Sequence, residues 1–388
     1  MFSKRTSWDL GGNAGTLALA ERHAAGLEVF DLTESNPTRA GLGLAPDALR
    51  AAMAPAGLER YDPDPRGLFV ARDAVAAYYG ERAIGVAPDE IVLSASSSEA
   101  YAWLFKLLCD PGDEVLVPSP GYPLFECLAE LESVRVRSYP SRWDGSAWRI
   151  DLQALASAIT SATRAIVVVN PGNPTGAFVT REEHEQIAAL GLPIISDEVF
   201  GDYGNDRHRE ARASSLLTQS AEVLTFVLSG FSKVLALPQL KLGWTVVRGP
   251  GAAEALDRLE VVADTYLSVA TPVQLAAKAL LSHRAAIQAA ILSRVAANLA
   301  VLRAALGSPS AASLLEPEGG WSAIVRVPRV QDDAAWIADL LAEGVLVQPG
   351  FFFGFDGPGH LVVSLLPPLA EFAVGAERLA RRVAMRAG

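Results

Sequence analysis

The sequence has no run of lysine or arginine long enough to make a basic patch, and its 44 acidic residues exceed its 33 basic ones to leave a formal net charge of −11. That balance argues against nucleic acid or an anionic membrane surface as the main partner and favours a small molecule. Lys4 and Arg5 have no apolar stretch behind them, so the N-terminus reads as neither a signal peptide nor a transit sequence. No segment reads as long and apolar enough to span a bilayer; even the alanine-rich stretch 271–281 is interrupted by Gln274 and Lys278. Cysteine is scarce. Cys109 and Cys127 lie in segments read as buried, which points to reduced core thiols in a cytoplasmic protein rather than to a disulfide. Internal repeats and low-complexity tracts are missing too. What is present is bulk: 388 residues, half of them apolar, enough for two domains and a large core.

Short β-rich apolar runs at 91–93, 114–117, 134–136, 165–169, 193–196, 225–228 and 244–247 alternate with helical patterns such as 99–108, behind a serine cluster able to cap it, and 181–190, behind Thr180. The pattern predicts an α/β fold, a large domain with a central, mainly parallel sheet flanked by helices, over residues 46–282. A long helical pattern near 283–306 joins it to a smaller α/β domain, 283–388, with strands expected near 321–327, 345–348 and 361–365 and helices near 333–343 and 369–386.

Asn170-Pro171-Gly172-Asn173-Pro174-Thr175-Gly176 closes the run 165–169, and two later strand ends carry Asp197 and then Ser232-Lys233. An Asn, Asp, Lys trio at strand ends suits a pyridoxal phosphate site, because open α/β sheets place ligands at that edge. Such a site needs a lysine amine to hold the cofactor aldehyde as a Schiff base, an acid to keep the pyridine nitrogen protonated, and a donor beside the ring hydroxyl. A Ser-Lys pair alone carries almost no weight, and Asp197 alone could be a surface acid capping a following helix. Their order along the chain makes the pattern specific. Spacing and flanking residues resemble the class I/II aminotransferases, fold-type-I pyridoxal phosphate enzymes, over nearly the whole chain.

The resemblance implies roles. Lys233, in Ser229-Gly230-Phe231-Ser232-Lys233, would hold the cofactor and carry the proton between substrate and cofactor carbons. Asp197 would pair with the pyridine nitrogen, Asn173 would donate to the ring hydroxyl oxygen, and Tyr122, in Pro120-Gly121-Tyr122-Pro123, would stack on the ring. The phosphate would sit on Ser96-Ser97-Ser98 at a helix N-terminus, with Ser229 and Lys241 as further ligands. Lys241 stands before Leu242-Gly243-Trp244 where the family usually has arginine, and meets phosphate as a point charge. Tyr61 resembles the tyrosine that reaches the phosphate of the neighbouring subunit, which implies a homodimer. In the family the N-terminal segment packs with the small domain, so residues 1–45 are assigned there. No metal is implied.

Two departures bear on function. Phe200 stands where the family has a tyrosine, leaving the tuning of the ring oxygen to Asn173 or another group such as Tyr203. Val362, in His360-Leu361-Val362-Val363-Ser364-Leu365, stands where relatives have an arginine that fixes the substrate α-carboxylate. An unpaired buried carboxylate costs on the order of several kcal/mol. Either a substitute arginine holds it, with Arg39 after Asn36-Pro37-Thr38 and Arg66 as candidates, or the substrate has no α-carboxylate; the first is preferred. A two-residue slip would put His360 at the place. Trp321 and Phe351, Phe352 and Phe353 are expected to line the substrate end. The activity expected is transfer of an amino group from a donor, an amino acid first, to an oxo acid or aldehyde. The enzymatic rival is a β-eliminating lyase on the same fold. A cofactor-holding regulatory domain is disfavoured by the acidic balance and by the lack of a helix-turn-helix segment.

Overall fold

The computed structural model describes residues 2–8, 11, 14–219, 221–307 and 310–387. Its large sheet has eight strands in the order Ile91–Ser94, Gly243–Arg248, Thr225–Gly230, Ile194–Asp197, Thr163–Val169, Glu114–Ser119, Arg135–Trp143, Trp148–Ile150. The five from Thr225–Gly230 to Arg135–Trp143 run parallel, and Gly243–Arg248 is antiparallel to both of its neighbours. Ile91–Ser94 therefore points the same way as the parallel set. Six strand C-termini meet at one edge.

The middle strands are apolar along their centres because both faces are covered. Along Thr163–Val169, Ile166 and Val168 enter one core, with Leu116 and Val227, while Ala165, Val167 and Val169 enter the other, with Val115 and Phe226. The alternation confines polar residues to the ends of these strands, where Ser196, Asp197 and Ser229 approach the functional edge.

The second sheet has four antiparallel strands, ordered Ser313–Leu315, Ser322–Arg326, His360–Ser364, Gln348–Pro349. It packs against helices Asp333–Ala342 and Leu369–Ala387 through Leu361, Val363, Trp336 and Phe372. Phe30–Asp31 pairs in parallel with Val345–Leu346, which ties this part of the N-terminal segment to the C-terminal region. The first residues go elsewhere. Arg5 Nη1 donates to the Leu131 carbonyl at 3.1 Å and Trp8 Nε1 to Glu130 at 2.8 Å, on a helix of the large α/β layer. Of the expected N-terminal segment, residues 1, 9, 10, 12 and 13 lie outside the described residues.

Helix Arg284–Ala305 connects the two bodies. Ile287 and Ile291 enter the core of the large sheet, and Leu299 and Leu302 that of the small one. Gln288 donates to Asp202 at 2.6 Å at one end, and Asn298 to the Leu365 and Pro367 carbonyls at 2.9 and 2.8 Å at the other. By length and composition alone this helix could cross a membrane, contrary to the expectation from sequence, because alanine raises its mean hydropathy. Its buried stripe is committed to both cores. Cys109 and Cys127 are free and half-buried rather than fully buried, and burial pushes the Cys109 thiol up to about 12.

Candidate active site

A cleft of about 310 Å3, partly open to solvent, lies at the edge where the six strands end. On the large-sheet side it is lined by Ser97, Tyr122, Asn173, Asp197 and Lys233; facing them are Trp321, Ser322, Gln348, Phe353 and Ser364. Thr33 and Ser35 close one end. Asn173 is held by the turn that follows strand Thr163–Val169. Asn170, fully buried, donates to the Ala213 carbonyl at 2.9 Å and accepts from the Val179 amide at 3.0 Å, which pins the turn from both sides. Gly176 has φ +67°, and a Cβ there would come within 2.4 Å of the Gly319 carbonyl oxygen, so this turn can close only on glycine.

Asp197, 7% exposed, ends its strand and has no ion-pair partner among the described residues. No helix follows it to cap. Oδ1 accepts from the Val199 amide at 3.1 Å and Oδ2 from the Tyr101 hydroxyl at 3.1 Å. Burial lifts its pKa to about 6, against these two bonds and the nearby Lys233 charge. Tyr101, buried on helix Ser97–Leu108, was not singled out from the sequence, since a tyrosine on an apolar helix face reads as core. Glu198 turns the other way, accepting from Ser196 Oγ and the Leu216 amide.

Lys233 leaves the short helix Phe231–Val234 directly after strand Thr225–Gly230. Its Nζ lies 5.0 Å from the Trp321 ring centroid and 5.4 Å from that of Phe200. Burial lowers its pKa, with Asp197 opposing. Phe200 thus offers a π-face where a tyrosine would offer a hydroxyl. Tyr203 does not take over: it is buried, its hydroxyl donates to the Lys233 carbonyl at 2.6 Å, and it does not line the cleft.

Ser96 caps helix Ser97–Leu108, its Oγ accepting from the Glu99 amide at 3.1 Å, and Ser97 is the serine of the trio that lines the cleft. Ser98 is half-buried there without lining it. Ser229 Oγ is buried with no partner among the described residues. Lys241 is exposed, in left-handed backbone at φ +51°. Tyr61 is exposed, on a separate groove with Trp103 and Leu267.

Neither substitute arginine reaches the cleft. Arg66 pairs with Glu260 at 2.6 Å and Asp257 at 3.1 Å; Arg39, mostly exposed, pairs with Glu34 at 2.8 Å. Asn36 accepts from the Thr38 amide and hydroxyl, closing its own turn. Val362 is buried with Trp148, Ile324, Phe353 and Phe355, and His360 stacks on Phe355 with centroids 4.6 Å apart. The lining residues Thr33, Ser35, Ser232, Ser322, Gln348 and Ser364 were missed, since isolated serines and a glutamine carry no motif.

A family model, "Aminotransferase class I and II", matches residues 28–379. The chain belongs to this family. Among its relatives are the "Alanine aminotransferase" of Mycobacterium tuberculosis, 29% identical over 381 residues, covering 92% of this chain and 87% of that one. The "Glutamate-pyruvate aminotransferase AlaA" of Escherichia coli is 28% identical over 332 residues, covering 82% and 81%. A solved "Alanine aminotransferase from Pyrococcus furiosus" superposes with a TM-score of 0.87 at 26% identity, over 98% of this chain and 99% of that one. The fold is that of the fold-type-I enzymes, and the protein is an aminotransferase, moving an amino group between an amino donor and an oxo acceptor.

Class I and II aminotransferases work with pyridoxal phosphate, and the residues of this aminotransferase fit that group. The Asp197 carboxylate is buried with the Lys233 charge nearby but with no direct ion pair among the described residues, a place that a protonated ring nitrogen would fill. Ser229 keeps a buried hydroxyl without a partner. A Cβ at Gly243 would come within 3.0 Å of the Ser96 backbone, so glycine lets the serine loop lie directly on the strand next to the one that carries Ser229, with the N–H groups of helix Ser97–Leu108 open to an anion.

Proposed function

We propose that this aminotransferase binds pyridoxal phosphate on Lys233 and runs both half-reactions at the cleft described above. The observation that carries the reading is the placement of Lys233, Asp197 and Asn173 around one cavity. When bound, pyridoxal phosphate supplies an aldehyde that bonds to amines and a ring that withdraws electrons from the carbon bearing the nitrogen.

The remaining work falls to side chains. Lys233 would need to be uncharged to hold the cofactor and to accept a proton, and burial shifts it in that direction while Asp197 opposes. Released by the incoming amine, it can move the proton from the substrate carbon and return it one position further along. Asp197 is charged above about pH 6 and would hold a proton on the ring nitrogen; Tyr101 and the Val199 amide fix the carboxylate for that contact. Asn173 would donate to the ring hydroxyl oxygen. Ser97, Ser229 and Lys241 would hold the phosphate, and Tyr122 would cover the ring.

A homodimer is part of the reading. Tyr61 and Leu267 are exposed in one groove and exposed Tyr266 stacks on its Trp103, an apolar area that a second copy would cover. From there Tyr61 would reach the partner's phosphate.

Alanine and glutamate are the donors to try first, because the relatives bear those names. With pyridoxal phosphate added, borohydride should fix the cofactor mass on the peptide carrying Lys233. In a separate, unreduced sample a donor should bleach the aldehyde absorbance with one equivalent of oxo product, and an oxo acid should restore it. Release of ammonia from a single substrate would instead establish the lyase. No adduct on Lys233 would refute the site.

A further inference from the structure

The wall opposite Lys233 is neutral. Ser322 and Ser364 are register partners across the small sheet, and Gln348 is the partner of Val362, two residues before Ser364. Residues opposite one another, or two apart on a strand, share a face. Ser322, Gln348, Val362 and Ser364 therefore point the same way, and the three polar ones line the cleft. Val362 occupies the register where an arginine would project, but its side chain ends among Trp148, Ile324, Phe353 and Phe355. Among the lining residues only Asp197 and Lys233 are charged. Arg294 donates to the Leu366 carbonyl at 2.9 Å, just past the Ser364 strand, and does not line the cleft either.

The three polar side chains have capacity to spare. Ser364 Oγ accepts from the Leu366 amide at 3.3 Å, which leaves its O–H to donate. Hydroxyls and a primary amide donate and accept together, so they match an uncharged hydroxyl or amide as readily as an anion. A carboxylate at this wall would surrender its water and meet no cation in return.

We propose that this wall reads the group beside the reacting amine through neutral hydrogen bonds from Ser322, Gln348 and Ser364, and that the cleft accepts amino alcohols and amino amides at least as well as amino acids. The proposal rests on the aminotransferase reading of the cleft. It names the substrate class by what the wall can pair: a primary amine whose neighbouring carbon carries an uncharged donor–acceptor group.

The test uses the cofactor-loaded enzyme, after the borohydride adduct on Lys233 has been verified. Calorimetry compares 2-methylalanine, its amide and 2-amino-2-methylpropan-1-ol. They share a carbon skeleton and lack a hydrogen on the amine-bearing carbon, so proton transfer does not obscure binding. The alcohol and the amide should bind as tightly as the acid or up to about tenfold more tightly. Tighter binding of the acid than of both would overturn the proposal and show that a cation from outside this wall, such as one on a second subunit, completes the site. Val362→Arg should reverse the order, tightening the acid by about tenfold or more. Should that variant not fold, Gln348→Leu combined with Ser364→Ala should weaken the alcohol and the amide about fivefold and the acid less, because a carboxylate uses only the donors of these side chains; alcohol and amide binding as tight as in the wild type would sink the idea. Failure to form the adduct at all refutes the underlying reading, whereas a normal adduct with the acid preferred refutes only this inference.

Discussion

The two walls of the cleft are made differently and carry different chemistry. One is the edge where parallel strands end, and it holds both charges of the cavity, Asp197 and Lys233. The other is the face of an antiparallel sheet, and its polar residues, Ser322, Gln348 and Ser364, are uncharged. At a parallel edge each functional residue stands at the end of a buried strand, as Asp197 does, or within about four residues of one, as Asn173 and Lys233 do, so its position is fixed by the core beneath it. On an antiparallel face a functional residue is one of an alternating set, and exchanging it for valine lets the site join the apolar cluster beside it, as Val362 does. Cofactor chemistry therefore sits where geometry is rigid, and the substrate-facing positions sit where substitution disturbs the fold less.

The contrast breaks first at Asp197. Asp197→Asn should keep the cofactor on Lys233 and lose about a hundredfold or more in turnover, the usual scale for removing a preorganised charge; turnover within about threefold of wild type would mean that the charged wall does not carry the chemistry. The same carboxylate shapes stability when the cofactor is absent. Its pKa is lifted from 3.8 to about 6 by burial, so the folded state holds the proton more tightly than the unfolded one. That contribution is fully present below about pH 4 and is lost as pH rises through 6, amounting to roughly 3 kcal/mol at most. Thermal unfolding of cofactor-free protein should show this fall, and Asp197→Asn should flatten it; an unchanged slope in the variant would assign the fall to other groups.

Tyr101→Phe sharpens the picture by removing the hydroxyl that favours the charged carboxylate. The midpoint of the same fall should move to higher pH by about one unit, equivalent to about 1.4 kcal/mol. A downward move would contradict the direction of that hydrogen bond. The smallest effect concerns a residue outside both walls. Tyr61→Phe should weaken cofactor binding several-fold, about 1 kcal/mol, as read by absorbance titration, and only in the dimer. An identical constant would leave Tyr61 no role at a partner's phosphate.

Much of the large sheet was legible because its strands are apolar runs bounded by turns, and a run such as 165–169 has no other stable use than a strand covered on both faces. The trio proposed to hold the cofactor came together in one cleft for a related reason: Asn173, Asp197 and Lys233 each stand at or shortly after the end of such a run. Arg39 and Arg66 were misjudged because sequence shows a cation but not its partner, and both had already found carboxylates in Glu34, Asp257 and Glu260. Tyr101 was invisible because its ring belongs to the core and only its hydroxyl to the site.

By itself, the order of residues determined which strands exist, where they end, and which amine, acid and amide stand at their ends, since these follow from local periodicity and from motif spacing. Tertiary structure decided the rest: that Ser322, Gln348 and Ser364, far apart in the chain, form one face, that no arginine joins them, and that Asp197 is buried deeply enough to titrate near 6. Register and burial are properties of packed neighbours, and neighbours across a sheet or a cleft leave no mark on the residues beside them in sequence.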